Sequence, residues 1–270
     1  MGQLQGKTAV VLGAASKDNM GQTIARLFAR EGAKVMVAGR KEAELSALAG
    51  EIGGRYALCD ITDHAQVHAL ADKAKGEMGR VDAAINTSGW GLLANTLEIT
   101  QDQLDGIVDL QFKGVHHFAQ AFVRVMSEQE PTGGSIVSLS SATTKALIPN
   151  HMAYIATKRA GEAMMECVAN DFGHLGIRAN TVSPAFTESP MTAESFQVPG
   201  LVDAFLPRYP LGRLNTSEDV AHACLWLCTD NAFVTGQNIQ PNGGLTLRGN
   251  PQARDIEAAV GAAMAKMQEG

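Results

Sequence analysis

The sequence of 270 residues lacks the features that mark several large classes of protein. No apolar stretch approaches the roughly 20 residues that a helix needs to cross a bilayer. The amino terminus, Met-Gly-Gln-Leu-Gln-Gly-Lys, has no apolar signal core. The formal net charge of -6 offers no basic patch to nucleic acid. These absences predict a cytoplasmic protein that binds neither membranes nor nucleic acids.

Residues that bind metals are few and poorly spaced. The cysteines lack the paired spacing of zinc sites, so we interpret them as buried structural thiols. Neither of two histidine pairs has a third ligand nearby in the sequence. The residues concerned are Cys59, Cys167, Cys224 and Cys228, His64 with His68, and His116 with His117. No metal site is therefore expected.

Short apolar or β-branched runs alternate along the chain with longer amphipathic stretches. This pattern is typical of a parallel sheet covered on both faces by helices. The predicted strands lie at 8–12, 34–38, 55–59, 83–86, 134–139, 178–182 and 238–240, and the predicted helices at 21–31, 41–50, 63–78, 100–128, 152–174 and 217–229. No repeat or linker divides them. We therefore predict an α/β fold, a doubly wound sheet of seven strands in one domain over residues 1–249.

Two segments fall outside the alternation. Residues 190–213 contain four prolines among apolar residues and follow a strand end, where open α/β sheets bind ligands. This segment is either a mobile substrate lid or a packed surface excursion. Residues 250–270 form a C-terminal extension, in which the alanine-rich stretch from Asp255 to Gln268 predicts a further helix. That helix is expected to dock on the core or on a second subunit.

The first predicted strand runs into a turn of small residues that leads to a helix. Such a turn presents backbone N–H groups and the positive end of the helix to a pyrophosphate. The usual glycine spacing is missing: Gly13 and Gly21 are present, but Asn19 stands where a middle glycine is expected. Asparagine tolerates the left-handed backbone that such turns require. The turn is therefore expected to bind a dinucleotide.

The end of the second strand predicts which nucleotide is bound. An acidic residue there accepts hydrogen bonds from the ribose of NAD, whereas an arginine meets the 2′-phosphate of NADP. The sequence has Gly39 and Arg40, and Lys17 adds a second positive charge. This pattern favours NADP(H) and does not exclude NAD(H). The alternative is that Arg40 and Lys41 are solvated residues at a helix start.

A proton-transfer site is predicted from Ser141, Tyr154 and Lys158. Residues four apart on a helix share a face, so the Tyr154 phenol and the Lys158 ammonium point the same way. A nearby cation favours the phenolate and so lowers the pKa of a tyrosine. The Ser141 hydroxyl, at the end of the preceding strand, is placed to hydrogen-bond the oxygen that gains or loses the proton.

Several segments, in one fixed order, resemble the short-chain dehydrogenase/reductase family over residues 5–247. The matching segments are Gly13 to Gly21, Cys59-Asp60-Ile61, Asn86-Thr87-Ser88-Gly89, Gly134 to Ser141, Tyr154-x-x-x-Lys158, Arg178 to Pro184, and Thr235 to Gly244. The resemblance implies a Rossmann fold, a homotetramer and hydride transfer between a nicotinamide cofactor and a small-molecule substrate.

The resemblance also implies roles for individual residues. Tyr154 is the general acid or base, Ser141 orients the substrate oxygen, and Lys158 lowers the Tyr154 pKa and holds the nicotinamide ribose. Asp60 accepts from the adenine amino group. The residues assigned to the cofactor are Gly13, Ser16, Lys17, Asn19, Met20, Gly21, Arg40, Asp60, Ile61, Asn86, Ser88, Gly89, Tyr154, Lys158, Pro184, Phe186, Thr187 and Ser189.

The sequence departs from the family pattern at two informative places. Gln111 stands where an asparagine usually anchors a proton-relay water, so the relay is shifted or absent. The phosphate loop is two residues longer than usual, like that of bacterial enoyl-acyl-carrier reductases. Those enzymes place their tyrosine seven residues before the lysine, and that position here is His151.

The predicted function is interconversion of a ketone and a secondary alcohol, with NADP(H), on a hydrophobic or cyclic substrate. The apolar residues expected around the substrate are Trp90, Leu147, Met152, Phe186, Met191, Phe196 and Phe205. One alternative is an enoyl-thioester reductase. The other is an NADP-binding regulatory protein that has lost turnover, for which Gln111 is the only hint.

Overall fold

The computed structural model describes residues 2–269, and its centre is a parallel sheet of seven strands. The strands are β1 (Thr8–Leu12), β2 (Lys34–Gly39), β3 (Arg55–Leu58), β4 (Ala83–Asn86), β5 (Gly134–Leu139), β6 (Ile177–Val182) and β7 (Asn238–Ile239). Their order across the sheet is β3-β2-β1-β4-β5-β6-β7. The chain thus winds outward from β1 in one direction and from β4 in the other, which confirms the predicted doubly wound α/β fold.

Helices connect the strands and follow the amphipathic stretches of the sequence. They are α1 (Met20–Arg30), α2 (Glu42–Ile52), α3 (His64–Met78), α4 (Gln101–Val108), α5 (Gly114–Ser127), α6 (Met152–Phe172), α7 (Ala193–Phe196), α8 (Leu201–Phe205), α9 (Ser217–Cys228), α10 (Leu245–Arg248) and α11 (Ala253–Glu269). The predicted helix at 100–128 is interrupted: a π-helical turn, Asp109–Lys113, separates α4 from α5. This turn contains Gln111.

The core lies in two layers, one on each face of the sheet. All five residues of β1 are buried, because helices cover both of its faces. Val67, Phe118 and Met165 belong to the layer under α3, α5 and α6. Phe28 and Leu225 belong to the layer under α1, α2 and α9. These two layers of packed side chains hold the sheet in place, so the loops that follow the strands keep fixed positions relative to one another.

The cysteines follow the sequence interpretation with one exception. Three cysteines are buried, but Cys167 is exposed, because it lies on the outer face of α6. Within residues 2–269, no group of three metal-binding side chains is arranged to hold an ion. Over the same residues, no helix combines the length and the hydrophobicity required to cross a bilayer.

The segment at 190–213 forms two short helices, α7 and α8, followed by a single 3-10 turn, Leu206–Arg208. The Phe186 ring contacts the rings of Phe196 and Phe205 at centroid separations of 4.5 and 4.6 Å. This segment is thus packed against the loop after β6. Its mobility as a lid stays a prediction.

The C-terminal extension contains the predicted helix, α11, which packs on α8. Gly200, at the start of α8, has φ +78°, and a Cβ there would collide with the backbone of Ala259. Arg208 Nη2 lies 2.6 Å from Asp255 Oδ2. The extension therefore docks on the lid segment of its own chain.

Candidate active site

The three predicted proton-transfer residues meet at the carboxyl end of the sheet. Ser141 follows β5, and its Oγ accepts hydrogen bonds from Thr143 N at 3.2 Å and Thr143 Oγ1 at 2.9 Å. Both lone pairs of the hydroxyl are thereby used, so its proton is left to donate. Lys158 Nζ lies 5.7 Å from the centroid of the Tyr154 ring. The arrangement places a hydroxyl, a phenol and an ammonium around one small volume.

Burial controls the ionisation of Tyr154 and Lys158. It raises the pKa of Tyr154, and Ser141 offsets part of that rise by hydrogen bonding to the phenol. It lowers the pKa of Lys158 to about 8, against the opposing charge of Glu162. Lys158 Nζ donates to Leu139 O at 2.8 Å, and the lowering of the Tyr154 pKa by Lys158 stays a prediction.

Gln111 is buried between the loop after β4 and the catalytic helix α6. Its Oε1 accepts from Thr157 Oγ1 at 2.9 Å, and its Nε2 donates to Trp90 O at 3.2 Å. A Cβ built on Gly89 would lie 3.3 Å from Gln111 Nε2 and 3.4 Å from Lys158 Nζ. The carboxamide and the Lys158 ammonium therefore both border Gly89, and the two ends of the carboxamide bind protein groups.

The turn between β1 and α1 has the close packing that a phosphate loop needs. Gly13 has φ +102°, and a Cβ there would collide with Thr87 Oγ1 and the backbone of Ser88. A Cβ on Gly21 would lie 2.8 Å from Thr87 Oγ1. Thr87 itself donates to Leu12 O at 3.0 Å. The turn thus approaches β4 so closely that only glycine fits at both positions.

Asn19 has a different role from the one predicted. Its backbone is extended, at φ -82° and ψ 168°, and the left-handed residue of the turn is Asp18, at φ 56°. The Asn19 side chain caps α1 by accepting from Gln22 N and donates to Gly13 O at 2.8 Å. An asparagine fits here because it caps the helix and closes the turn with one side chain. Ser16 and Lys17 lie in the same turn, and Met20 begins α1.

The adenosine side of the site lies at the ends of β2 and β3. The Arg40 side chain is 77% exposed, and its Nη1 lies 3.7 Å from Asp60 Oδ2. Asp60 Oδ1 accepts from Thr62 N and Thr62 Oγ1, which holds the carboxylate in place. Ile61 is buried against Gly114. Arg40 and Asp60 therefore face the same solvent-open edge.

The remaining predicted residues follow β4 and β6. Asn86 is buried, and its Oδ1 accepts from Ser88 N at 2.9 Å, so it shapes the loop that contains Gly89. Pro184 O accepts from Ala142 N at 2.8 Å, which joins this loop to the turn after Ser141. Thr187 Oγ1 donates to Ala185 O, and Ser189 N donates to Thr192 Oγ1; Phe186 packs on the lid segment. These side chains border the site mainly by fixing its loops.

Comparison with known proteins identifies the family. The family model described as enoyl-(acyl carrier protein) reductase matches residues 13–246. A D-threitol dehydrogenase of Mycolicibacterium smegmatis is 31% identical over 252 residues, covering 91% of this chain and 95% of the relative. The solved structure of a short-chain type dehydrogenase/reductase from Mycobacterium ulcerans is 27% identical, with a TM-score of 0.88, covering 95% of this chain and 98% of the other. The chain belongs to the short-chain dehydrogenases/reductases. A further solved structure, a gluconate 5-dehydrogenase from Burkholderia cenocepacia in complex with NADP and tartrate, is 27% identical, with a TM-score of 0.85 and coverage of 90% and 96%.

A short-chain dehydrogenase/reductase is an NAD(P)-dependent enzyme that acts on CH–OH or C=O groups, and the residues present fit that cofactor. The Gly13 and Gly21 positions leave a cradle that a Cβ would fill, and the capped start of α1 adds its N–H groups. The backbone of the phosphate turn between β1 and α1 therefore provides the space and the N–H groups that the cofactor needs.

Three residues of the site were not identified from the sequence. The Thr87 hydroxyl packs against Gly13 and Gly21. His151 packs edge-on against the Tyr154 ring at 4.8 Å, and burial lowers its pKa. Glu162 lies one helical turn beyond Lys158. The i, i+4 spacing from Tyr154 through Lys158 to Glu162 was the signal that could have found the last of these.

Proposed function

We propose that this enzyme interconverts a ketone and a secondary alcohol, with Tyr154 as the proton donor in reduction and the acceptor in oxidation. The convergence of Ser141, Tyr154 and Lys158 at the carboxyl end of the sheet carries this proposal. The bound nicotinamide supplies or accepts the hydride. The Ser141 hydroxyl, which accepts two bonds from Thr143 and so acts as a donor, orients the substrate oxygen.

Lys158 assists by charge. With a pKa of about 8, it remains largely protonated at neutral pH even though it is buried. A cation there favours any negative charge that develops on the Tyr154 oxygen. The phenol therefore gives up and recovers its proton more readily than its burial alone allows.

NADP(H) is the proposed preferred cofactor. Arg40 is exposed at the end of β2, and Lys17 is exposed in the phosphate turn. Both are free of a hydrogen-bonded carboxylate among the residues that the structure describes. The gluconate 5-dehydrogenase relative was solved with NADP, which supports the same preference.

The substrate proposed is a hydrophobic or cyclic ketone or alcohol. Trp90, Leu147, Met152 and Met191 all expose apolar surface, between 39 and 58% of each residue. A Cβ on Gly91 would lie 3.1 Å from Met191 Sδ, so the lid segment reaches the loop after β4. Phe205 is removed from the predicted set, because it is buried in the packed cluster under the lid.

The names of the relatives point to secondary alcohols, both polar and hydrophobic. Two of the names specify D-threitol and gluconate, which are polyhydroxylated, and a third, that of a borneol dehydrogenase of Lavandula x intermedia, 32% identical over 249 residues, specifies a hydrophobic bicyclic alcohol. A substrate panel therefore contains both apolar cyclic ketones and small polyols. Preference for the polyols would contradict the apolar pocket and leave the reaction type intact.

Enoyl-thioester reduction is the second candidate function. The name of the matching family model and the length of the phosphate turn favour it. The position of Tyr154 opposes it, because His151 occupies the place of the tyrosine in that branch. Oxidation of NAD(P)H by an enoyl thioester, with none by ketones, would establish this alternative.

The Tyr154→Phe variant tests the proposed proton donor. It should lose nearly all turnover of ketones and alcohols while binding NADPH with little change, because the phenol oxygen is removed and the phosphate turn is untouched. Steady-state rates and cofactor fluorescence titrations measure the two quantities. Retained turnover would refute the assignment. If the unmodified protein binds NADPH and turns over neither ketones nor alcohols, the regulatory alternative is preferred.

A homotetramer is also proposed, by analogy with the family. Leu104 and Phe112, on and beside α4, expose 36 and 43% of their surface on a flank that members of this family use for assembly. Location in the cytoplasm stays a prediction.

A further inference from the structure

Glu162 connects three elements to the catalytic helix. Its Oε1 accepts hydrogen bonds from Ser140 Oγ at 2.6 Å, Thr144 Oγ1 at 2.8 Å and Asn238 Nδ2 at 2.6 Å. Ser140 immediately precedes Ser141, and Thr144 ends the 3-10 turn that Ser141 begins. One carboxylate oxygen therefore holds both ends of the Ser141 turn, and the last strand, against α6.

Glu162 also lies on the catalytic face of α6. Tyr154, Lys158 and Glu162 are spaced four residues apart, so their side chains form one row along the helix. Resting on the proposed function, we propose that Glu162 is a positioning residue of the active site, which fixes the Ser141 turn and places a negative charge one helical turn from Lys158.

The charges around Lys158 support this role. Glu162 is the group whose charge raises the pKa of Lys158 against burial. Arg159, the next residue on the helix, turns toward the Thr144 carbonyl, to which its Nε donates at 2.9 Å. His151, beside Tyr154, has a pKa lowered by burial and is neutral at pH 7.

The other elements that pack around Glu162 contribute neutral groups. Ser140 and Thr144 come from the turn after β5, and Asn238 comes from β7. Lys145, the next residue after Thr144, is exposed. The negative charge that acts on Lys158 thus comes from Glu162.

The expected direction of the pH shift is the same whether Tyr154 or Lys158 loses its proton first. A negative charge opposes the loss of a proton from Tyr154 and Lys158 taken together. Without it, the pair loses its first proton at a lower pH. The alkaline limit of ketone reduction and the acid limit of alcohol oxidation should therefore both move to lower pH.

The test measures the amine directly in the full-length protein. Trace acetylation over a range of pH, followed by peptide mass spectrometry, gives the pH at which each lysine is half reactive. In Glu162→Gln, the value for Lys158 should fall by about half a pH unit or more. Lys145 serves as an internal standard that should not move.

Glu166→Gln is the matched control. Glu166 lies one turn further along α6 and is exposed, so the variant removes the same charge from the same helix. An equal shift in both variants, or a shift in neither, would overturn the proposal. Thr144→Val separates anchoring from charge: it should lower kcat several-fold and leave the pH limits in place. Movement of the limits in Thr144→Val would contradict the charge assignment.

Glutamine keeps an acceptor oxygen for the three donors, so Glu162→Gln is expected to fold. If thermal unfolding shows that it does not, Glu162→Ala replaces it, since water can then meet the donors. The acetylation readout needs no turnover. If the Lys158 value shifts in Glu162→Gln but the unmodified protein turns over no ketone or alcohol, the role of Glu162 stands and the proposed function is refuted. If the unmodified protein is active but the Lys158 value does not shift, only the role of Glu162 is refuted.

Discussion

Replacement of Arg40 is the sharpest test of cofactor preference. Arg40 follows β2 at the edge where the adenosine ribose is expected, and its Nη1 lies 3.7 Å from Asp60 Oδ2, with 77% of the side chain exposed. In Arg40→Ala, NADPH should bind more weakly and NADH should bind almost unchanged. The reason is that the 2′-phosphate is the only part of NADPH that NADH lacks.

The exposure of Arg40 sets the size of the effect. Two unit charges 4 Å apart interact by about 1 kcal/mol in water and by about 4 kcal/mol at an effective dielectric of 20. A side chain this open to solvent belongs near the lower figure, so we expect a loss of about 1–2 kcal/mol, or roughly 5–30-fold in Kd. The loss should shrink as ionic strength rises, because salt screens exposed charges.

Titration of both cofactors by fluorescence, at low and high salt, measures these values. Lys34→Ala is the matched control: it removes the same charge from the exposed start of β2, at the opposite end of the strand. Equal weakening of NADPH and NADH in Arg40→Ala, or equal weakening of NADPH in both variants, would refute contact with the phosphate. Arg40 would then be a solvated residue at a helix start.

Two further predictions concern the support of the site. Asp219 accepts from Arg213 at 2.6 and 2.7 Å and caps α9, and these bonds hold its pKa far below the usual range. Asp219→Ala should cost about 1–2 kcal/mol in urea unfolding at pH 7. This cost applies fully above the ordinary aspartate pKa of about 4 and should vanish as pH falls through the lower folded value. Ala259→Glu, on the α11 face that meets Gly200, should raise KM for the substrate and speed proteolysis of the lid segment, whereas Ala262→Glu, on the exposed face, should do neither. Equal effects of the two glutamates would contradict the docking of α11 on the lid.

The fold could be predicted from the sequence because its signals are local and repeated. Each strand is a short apolar run, and each helix an amphipathic stretch, so the alternation alone indicated the doubly wound sheet. The break in the helix at 100–128 could not be predicted. A π-helical turn adds a residue to one turn of a helix, and its hydrophobic pattern there differs little from that of a continuous helix.

The residues of the candidate site could be predicted where their spacing in the sequence alone determines which side chains meet. The spacing of Tyr154 and Lys158 defines a shared helix face, and Ser141 ends a strand. Asn19 and Glu162 were different. The backbone angle of Asn19 depends on the whole turn, and Glu162 meets its partners Ser140, Thr144 and Asn238 across three elements that the sequence does not bring together.

Gln111 is one methylene longer than the asparagine that the family usually has at this position, and both ends of its amide bind protein groups. The amide oxygen accepts from Thr157 on α6, and the amide nitrogen donates to the Trp90 carbonyl. A carboxamide does not titrate near neutral pH, so Gln111 acts by holding partners in place. One N–H and one lone pair of the amide are left to meet water. Gln111 therefore acts in the site by fixing the distance between the loop of Trp90 and the helix that carries Tyr154.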